Sequence, residues 1–420
     1  MDAFAASIHP VPAAWLSNSS LAPFVPDYWR CLIERRYSAA TTRSYLHGVA
    51  HFARWIHRWR RLAVCDLAEA DVQRFLDDHL PRCTCPSPVQ RCRHQVRAGL
   101  RILLEMLDDL GVLANPSLVP NAIDSELCRL NEHMQHARGL AENTRTQRLR
   151  ILRPFFEQIH EANQARPTLP LPTAADLRRF IDLQLDRWNP NSARVLAGTL
   201  RSYLRFRAVC GDQVGHLLPV ITSPAHWRLA PLPQTLSRAE VTKLLDAFSP
   251  ELPSRLRGYA MVRCLVDLGL RTREVVSLGL DDIDWQAGTL RIVKNKSRRV
   301  DVLPMPRTTG KAIANYLRSE RPHTANRRVF VRHVAPLDKP IGPDVARNAV
   351  REAYLRSGLP YTRVHILRNT LASRLLDTGG SLQEVADVLR HRELDTSLIY
   401  AKVDTARLSA VALPWPGSAA

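Results

Sequence analysis

Two histidines, two arginines, a lysine-bearing turn and a tyrosine stand at spacings that suit phosphoryl chemistry. His365 and Arg368 are three residues apart, on one face of a helix. His391 follows Arg368 by 23 residues, and Tyr400 comes nine residues later. Upstream, Arg271 lies in Gly269-Leu270-Arg271-Thr272-Arg273-Glu274, followed by a basic turn, Lys294-Asn295-Lys296-Ser297-Arg298-Arg299. These are the parts for metal-free transesterification of a DNA phosphodiester. The phenol attacks phosphorus, two guanidinium forks hold the phosphate oxygens, and a lysine or histidine protonates the leaving oxygen. A free phenol has a pKa of about 10, so the attack needs cations beside it. Each residue alone has a plainer reading: a surface arginine, a satisfied core histidine, a core tyrosine. The joint spacing is what singles them out. Glu274 reads as a brace for an arginine, and Asp282 and Asp284 read as structural rather than as a metal pair. No cofactor is implied.

The same residues resemble the tyrosine recombinase (phage integrase) family. Gly269 to Glu274 fits its first box, G-L-R-x-x-E. His365-Ile-Leu-Arg368-Asn369-Thr370, Leu389-Arg390-His391 and Thr396-Ser-Leu-Ile-Tyr400 fit its second box. The match runs over about residues 235–405. It departs at two positions: Asn369 replaces a histidine, and Arg390 replaces a glycine that would permit φ > 0. The resemblance implies catalytic roles for Arg271, Lys296, His365, Arg368, His391 and the nucleophile Tyr400. In it His365 assists proton transfer from the nucleophile, His391 donates to a nonbridging oxygen, and Lys296 or Lys294 is the general acid. Lys296 falls at the family's position when Arg298-Arg299-Val-Asp-Val-Leu-Pro304 is aligned. It further implies a site-specific recombinase or integrase of a mobile element, acting through a 3′-phosphotyrosine as a homo-tetramer on double-stranded DNA, with or without sister recombinases. A type IB topoisomerase and a non-catalytic DNA-binding accessory protein are the rival readings.

Charge agrees with a polyanionic partner. The 420 residues carry a formal charge of +19 at pH 7, which points to nucleic acid ahead of a merely solubilising surface. Lysine is scarce, at positions 243, 294, 296, 311, 339 and 402 among 59 basic residues. Two lysines in one short turn suggest a need for a proton that arginine does not readily give up. No apolar run reaches the length of a membrane span, and no signal-peptide pattern opens the chain, so a cytoplasmic location is expected. Eight cysteines are then expected as reduced thiols.

The expected fold is mainly α: two tandem helical bundles, then a mixed α+β catalytic domain with a small antiparallel sheet. After a tail at 1–24, a first DNA-binding module spans 25–114 and a core-binding module 125–222. A Pro-rich linker follows at 223–234, then the catalytic domain at 235–405 and a tail at 406–420. The modules read as one unit written twice. Ser38 to Ile56 parallels Ala141 to Ile159, Asp71 to Leu76 parallels Asp176 to Ile181, and Gly99 to Leu104 parallels Thr199 to Leu204. Generic likeness between amphipathic bundles is the alternative. Ser237 to Glu240 has capping-box form. Leu408 to Pro416 is apolar enough either to dock on a neighbouring protomer or to pack on its own domain.

Arg43, Arg58, Arg60, Arg61, Arg145, Arg148, Arg201, Arg298 and Arg299 are candidate phosphate contacts, giving affinity and register rather than base specificity. Cys83, Cys85, Cys92 and His94 form a zinc candidate, although single-residue gaps are tighter than the usual spacing. An exposed loop touching DNA is the other reading of that segment.

Overall fold

The computed structural model describes residues 8–60, 63–113, 121–161, 169–185, 188–223, 232–293, 300–391 and 397–401. Lys296, Arg298, Arg299 and Arg61 lie outside the described residues, as do the apolar segment 408–416 and most of the Pro-rich linker. The chain separates into two compact units, residues 1–114 with 231–420, and residues 115–230.

In the first unit, helices α1 (Pro10–Ser17), α2 (Val25–Glu34), α3 (Ala39–Trp55), α4 (Glu69–Arg74) and α5 (Arg93–Asp109) build one apolar core. Ser38 starts α3 as an N-cap, its hydroxyl accepting the Thr41 N–H at 3.2 Å. Leu46, Val49, Ala50, Phe52 and Ala53 then recur on its buried side. Both α3 and α4 run on into a single π turn, Ile56–Arg60 and Phe75–His79. Tyr28 fills the centre and its hydroxyl donates to Gly99 O at 3.0 Å.

The C-terminal part of the same unit has its own core, around Val262, Leu265, Ile313, Tyr316, Phe330 and Tyr354. The Ser237–Glu240 capping box closes as its sequence requires: Glu240 N donates to Ser237 Oγ at 3.2 Å, and Ser237 N to Glu240 Oε2 at 2.8 Å. It opens α10 (Arg238–Asp246), and α11 (Arg255–Asp267) leads towards the short α12 (Thr272–Ser277). A three-stranded antiparallel sheet follows, β1 (Ile283–Asp284), β2 (Thr289–Ile292) and β3 (Asp301–Pro304), in the order β1-β2-β3. Leu290 opposes both Ile283 and Leu303, which fixes the register with apolar side chains on one face. Helices α13 (Arg307–Ser319), α14 (Pro343–Arg356), α15 (His365–Asp377), α16 (Leu382–Val388) and α17 (Leu398–Ala401) complete it. Arg36 Nη1 donates to His323 O at 3.1 Å and Lys339 Nζ lies 3.7 Å from a Glu105 carboxylate oxygen, so polar contacts join the two parts of this unit.

The second unit contains α6 (Ala122–Glu132), α7 (Glu142–Glu161), α8 (Ala174–Leu185) and α9 (Pro190–Val209) around Phe155, Phe156, Leu177 and Tyr203. These helices follow one another as α2 to α5 do. Gly111 and Gly211 end α5 and α9 alike, each with positive φ. A buried carboxylate, Glu126, is neutralised by Arg207 at 2.8 Å.

Candidate active site

Glu274 organises the first half of the site. It is 2% exposed and is the third residue of α12, whose N-cap is Arg271. Its carboxylate accepts from Arg271 N and Arg271 Nη1, both at 2.8 Å, and from Arg390 Nη2 at 2.9 Å. Burial raises its pKa, but the two guanidiniums and the Arg271 N–H outweigh this, and the net shift is downward. The expected brace is therefore present, and it holds two arginines rather than one.

Arg390 stands where a glycine was expected, and the structure shows how it is accommodated. It follows α16 with φ +56, in the left-handed region. Arg390 N donates to Asp387 O and His391 N to Ala386 O, the paired bonds of a helix stop that usually takes glycine. The strain is of order 1–3 kcal/mol. The arginine keeps the turn and turns its buried guanidinium onto Glu274.

Arg368 projects from the first turn of α15 and is 3% exposed. Its Nη1 donates to Gly269 O and its Nη2 to Leu389 O, so one side chain joins segments far apart in sequence. Gly269 has φ +57, and a Cβ there would meet Leu389 and Leu371 side-chain atoms at 2.8 and 2.9 Å. This explains the glycine of the first box: only glycine lets that carbonyl approach Arg368. Desolvation, then Arg271 and Arg390, push the Arg368 pKa down to about 9, still protonated at neutral pH.

The histidines and tyrosine converge on the same place. His391 Nδ1 lies 2.6 Å from Ser397 Oγ, and its ring stacks on Tyr400 with centroids 6.3 Å apart. Desolvation, followed by Arg368 and Arg271, lowers the His391 pKa to about 4. His365 presents an exposed edge, yet crowding by protein and the charges of Arg368 and Arg271 lower its pKa as well. Both rings are neutral at pH 7. Tyr400 is buried and its hydroxyl donates to Asn369 Oδ1 at 3.0 Å. Burial raises the phenol pKa, while Arg368 and Arg271 oppose the rise.

A cleft of about 580 Å³ opens beside these groups, lined by Arg271, His365 and Arg368 together with Arg347, Arg351 and Arg363. Asp344 is the acidic side chain in that lining, and it is paired with Arg347. The sequence motifs do not pick out Arg347, Arg351 or Arg363. Arg347 and Arg351 lie four apart on α14, a spacing that could have suggested a basic helix face. Asn369 was visible only as a departure from a motif.

Comparison with known proteins identifies the family. A family model described as "Phage integrase family" matches residues 234–407. The chain is 34% identical over 404 residues to "Putative integrase/recombinase y4rA" of Sinorhizobium fredii, covering 95% of each chain. It belongs to the phage integrase family. Tyrosine recombinase XerD of Vibrio cholerae is 30% identical over 66% of this chain and 90% of its own length. Among solved structures, XerH site-specific recombinase bound to palindromic difH substrate is similar in fold, with TM-score 0.50 and 16% identity over 70% of this chain and 97% of that one. Membership of a tyrosine recombinase and integrase family thus rests on near full-length sequence similarity.

The remaining candidates are placed as follows. Arg43 and Arg58 are exposed on α3 and the π turn after it. Arg60 ends that turn. In the second unit Arg145 donates to Asn131 and Gln135 and Arg148 to Ser202, contacts that join helices, and Arg201 donates to Ile221 O, tying α9 to the segment that follows it. Cys83 and Cys85 are drawn together, but with His51 and His79; Cys92 and His94 are exposed and outside that group. Among the described residues no helix is long and apolar enough to cross a membrane.

Proposed function

We propose that this protein is a site-specific DNA recombinase that cuts and rejoins DNA through a 3′-phosphotyrosine at Tyr400, serving integration or transposition of a mobile element. The observation that carries the reading is the convergence of Arg271, Arg368, His365, His391 and Tyr400 beside one basic cleft. The net charge of +19 supports DNA as the partner.

The scissile phosphate sits against Arg271 and Arg368, whose guanidiniums offset its charge as negative charge develops on the oxygens. With the Ser397 hydroxyl, 2.6 Å from His391 Nδ1, as the donor, neutral His391 presents Nε2–H to a nonbridging oxygen. Neutral His365 takes the phenol proton as the Tyr400 oxygen bonds to phosphorus. The bond to the 5′ oxygen breaks, and Lys296 protonates that oxygen. A 5′ hydroxyl from a partner strand reverses the sequence, so bond energy is conserved. Before attack the phenol must give up its hydrogen bond to Asn369. Four protomers on two sites would carry out the exchange.

The test is trapping on a nicked suicide substrate without added Mg²⁺. Wild type should form a covalent adduct, and Tyr400→Phe should form none while binding duplex nearly as well. An adduct with the phenylalanine variant would move the nucleophile elsewhere.

A further inference from the structure

The first helical module holds a second constellation that recombination chemistry does not use. His51 lies in α3, His79 ends the π turn after α4, and Cys83 and Cys85 lie in the loop leading to α5. Their side-chain donor atoms all lie within 4.8 Å of one another. His51 Nε2 is 3.1 Å from His79 Nε2 and 3.1 Å from Cys83 Sγ, and Cys85 Sγ is 3.7 Å from His79 Nε2.

We propose that His51, His79, Cys83 and Cys85 bind one zinc ion that fastens the loop to the two helices. A tetrahedral ion with nitrogen at about 2.0–2.1 Å and sulfur at about 2.3 Å sets its ligand atoms roughly 3.3–3.8 Å apart, close to the spacings observed. Two thiolates and two imidazoles suit zinc, and four protein ligands leave no open position, which marks a structural rather than a catalytic site.

The hydrogen-bond inventory points the same way. His51 Nδ1 lies 3.1 Å from Gln90 O, a carbonyl that can only accept. Nδ1 therefore carries the ring proton, and Nε2 offers one lone pair. Both Cys83 Sγ and His79 Nε2 approach that lone pair at 3.1 Å, so two donors compete for one acceptor or, with the other His79 tautomer, two nitrogen lone pairs face each other. A cation at the centre, with the thiols deprotonated, resolves the conflict. The Gln90 carbonyl then plays the usual outer part of orienting a ligand ring. Cys85 N donates to Cys83 Sγ at 3.3 Å, and Arg91 Nη2 holds Cys85 O at 3.0 Å, fixing the tight Cys-x-Cys turn. The close spacing that counts against a four-ligand set of Cys83, Cys85, Cys92 and His94 is relieved because His51 comes from the distant α3 and His79 stands four residues before Cys83, with three intervening residues.

Metal analysis of the purified, reduced full-length chain should find about one zinc per chain. Cys83→Ser with Cys85→Ser should abolish it, whereas Cys92→Ser with His94→Gln should leave it unchanged. Should the first double variant not fold, X-ray absorption at the zinc edge of the unaltered protein decides: two nitrogen and two sulfur neighbours support the site, and any sulfur-free shell overturns it. A wild-type chain that carries no zinc and takes none up when zinc is added refutes the proposal. So does zinc retained by a folded Cys83→Ser, Cys85→Ser variant.

Discussion

Replacing Asn369 by alanine should speed strand cleavage. Asn369 Oδ1 accepts the Tyr400 hydroxyl proton at 3.0 Å, and a carbonyl acceptor favours the neutral phenol over the phenolate. One neutral hydrogen bond is worth about 1 kcal/mol net, so its loss should release the nucleophile by up to roughly fivefold in rate. The phenol is 2% exposed, so the variant loses stability too, by about 1–3 kcal/mol for an unsatisfied buried hydroxyl. Asn369→Asp tests the sign. A carboxylate beside the phenol disfavours ionisation further and should slow cleavage about tenfold or more. The assay is single-turnover adduct formation on a nicked suicide substrate, with melting followed in parallel. A clear slowing in both variants would refute the argument and make Asn369 a group that aims the phenol at phosphorus.

Three further outcomes are expected. A 5′-phosphorothiolate substrate, whose sulfur leaves with little protonation, should rescue Lys296→Ala and not Arg368→Ala; rescue of Lys294→Ala instead would reassign the acid. Arg390→Gly and Arg390→Ala both lose the Glu274 pair, but only alanine keeps the left-handed strain, so the glycine variant should be more stable by about 1 kcal/mol and melt a few degrees higher; equal melts would remove the strain argument. His391 and His333 both have pKa values lowered to about 4, chiefly by burial. Their contribution to stability is full above about 6.5 and should fall between there and pH 4, as the unfolded chain takes up protons that the folded chain refuses. Melting profiles across that window check it, with a shallower slope expected for His333→Gln.

The helices of the C-terminal part were legible because their caps and periods are local. Ser237 and Glu240 sit three apart, the spacing of a capping box that the chain closes locally. The site arginines, histidines and tyrosine were legible because their spacing matches a known pattern. Contacts set by tertiary structure were not. Nothing near Glu274 in the chain announces Arg390 as its second partner, since the two are 116 residues apart. Asn369 touches Tyr400 only because α17 packs beside α15. Cys83 and Cys85 stand out by their spacing and His79 precedes Cys83 by only four residues, but His51 comes from a helix 32 residues before Cys83 and joins them only in the fold.

The sharing of Glu274 has one more consequence. Arg271, Arg368 and Arg390 are three fixed cations around a single carboxylate, in a place where Arg368, Arg390 and Glu274 are all removed from water. Their mutual repulsion is a standing cost to the folded domain, and low polarity keeps it from being screened away. A phosphodiester contributes the anion that this cluster lacks. On the proposed function, ligand binding and folding are then linked quantities: the unbalanced charge that costs the folded domain would be a source of affinity for DNA, and occupancy by DNA should return it as heat resistance.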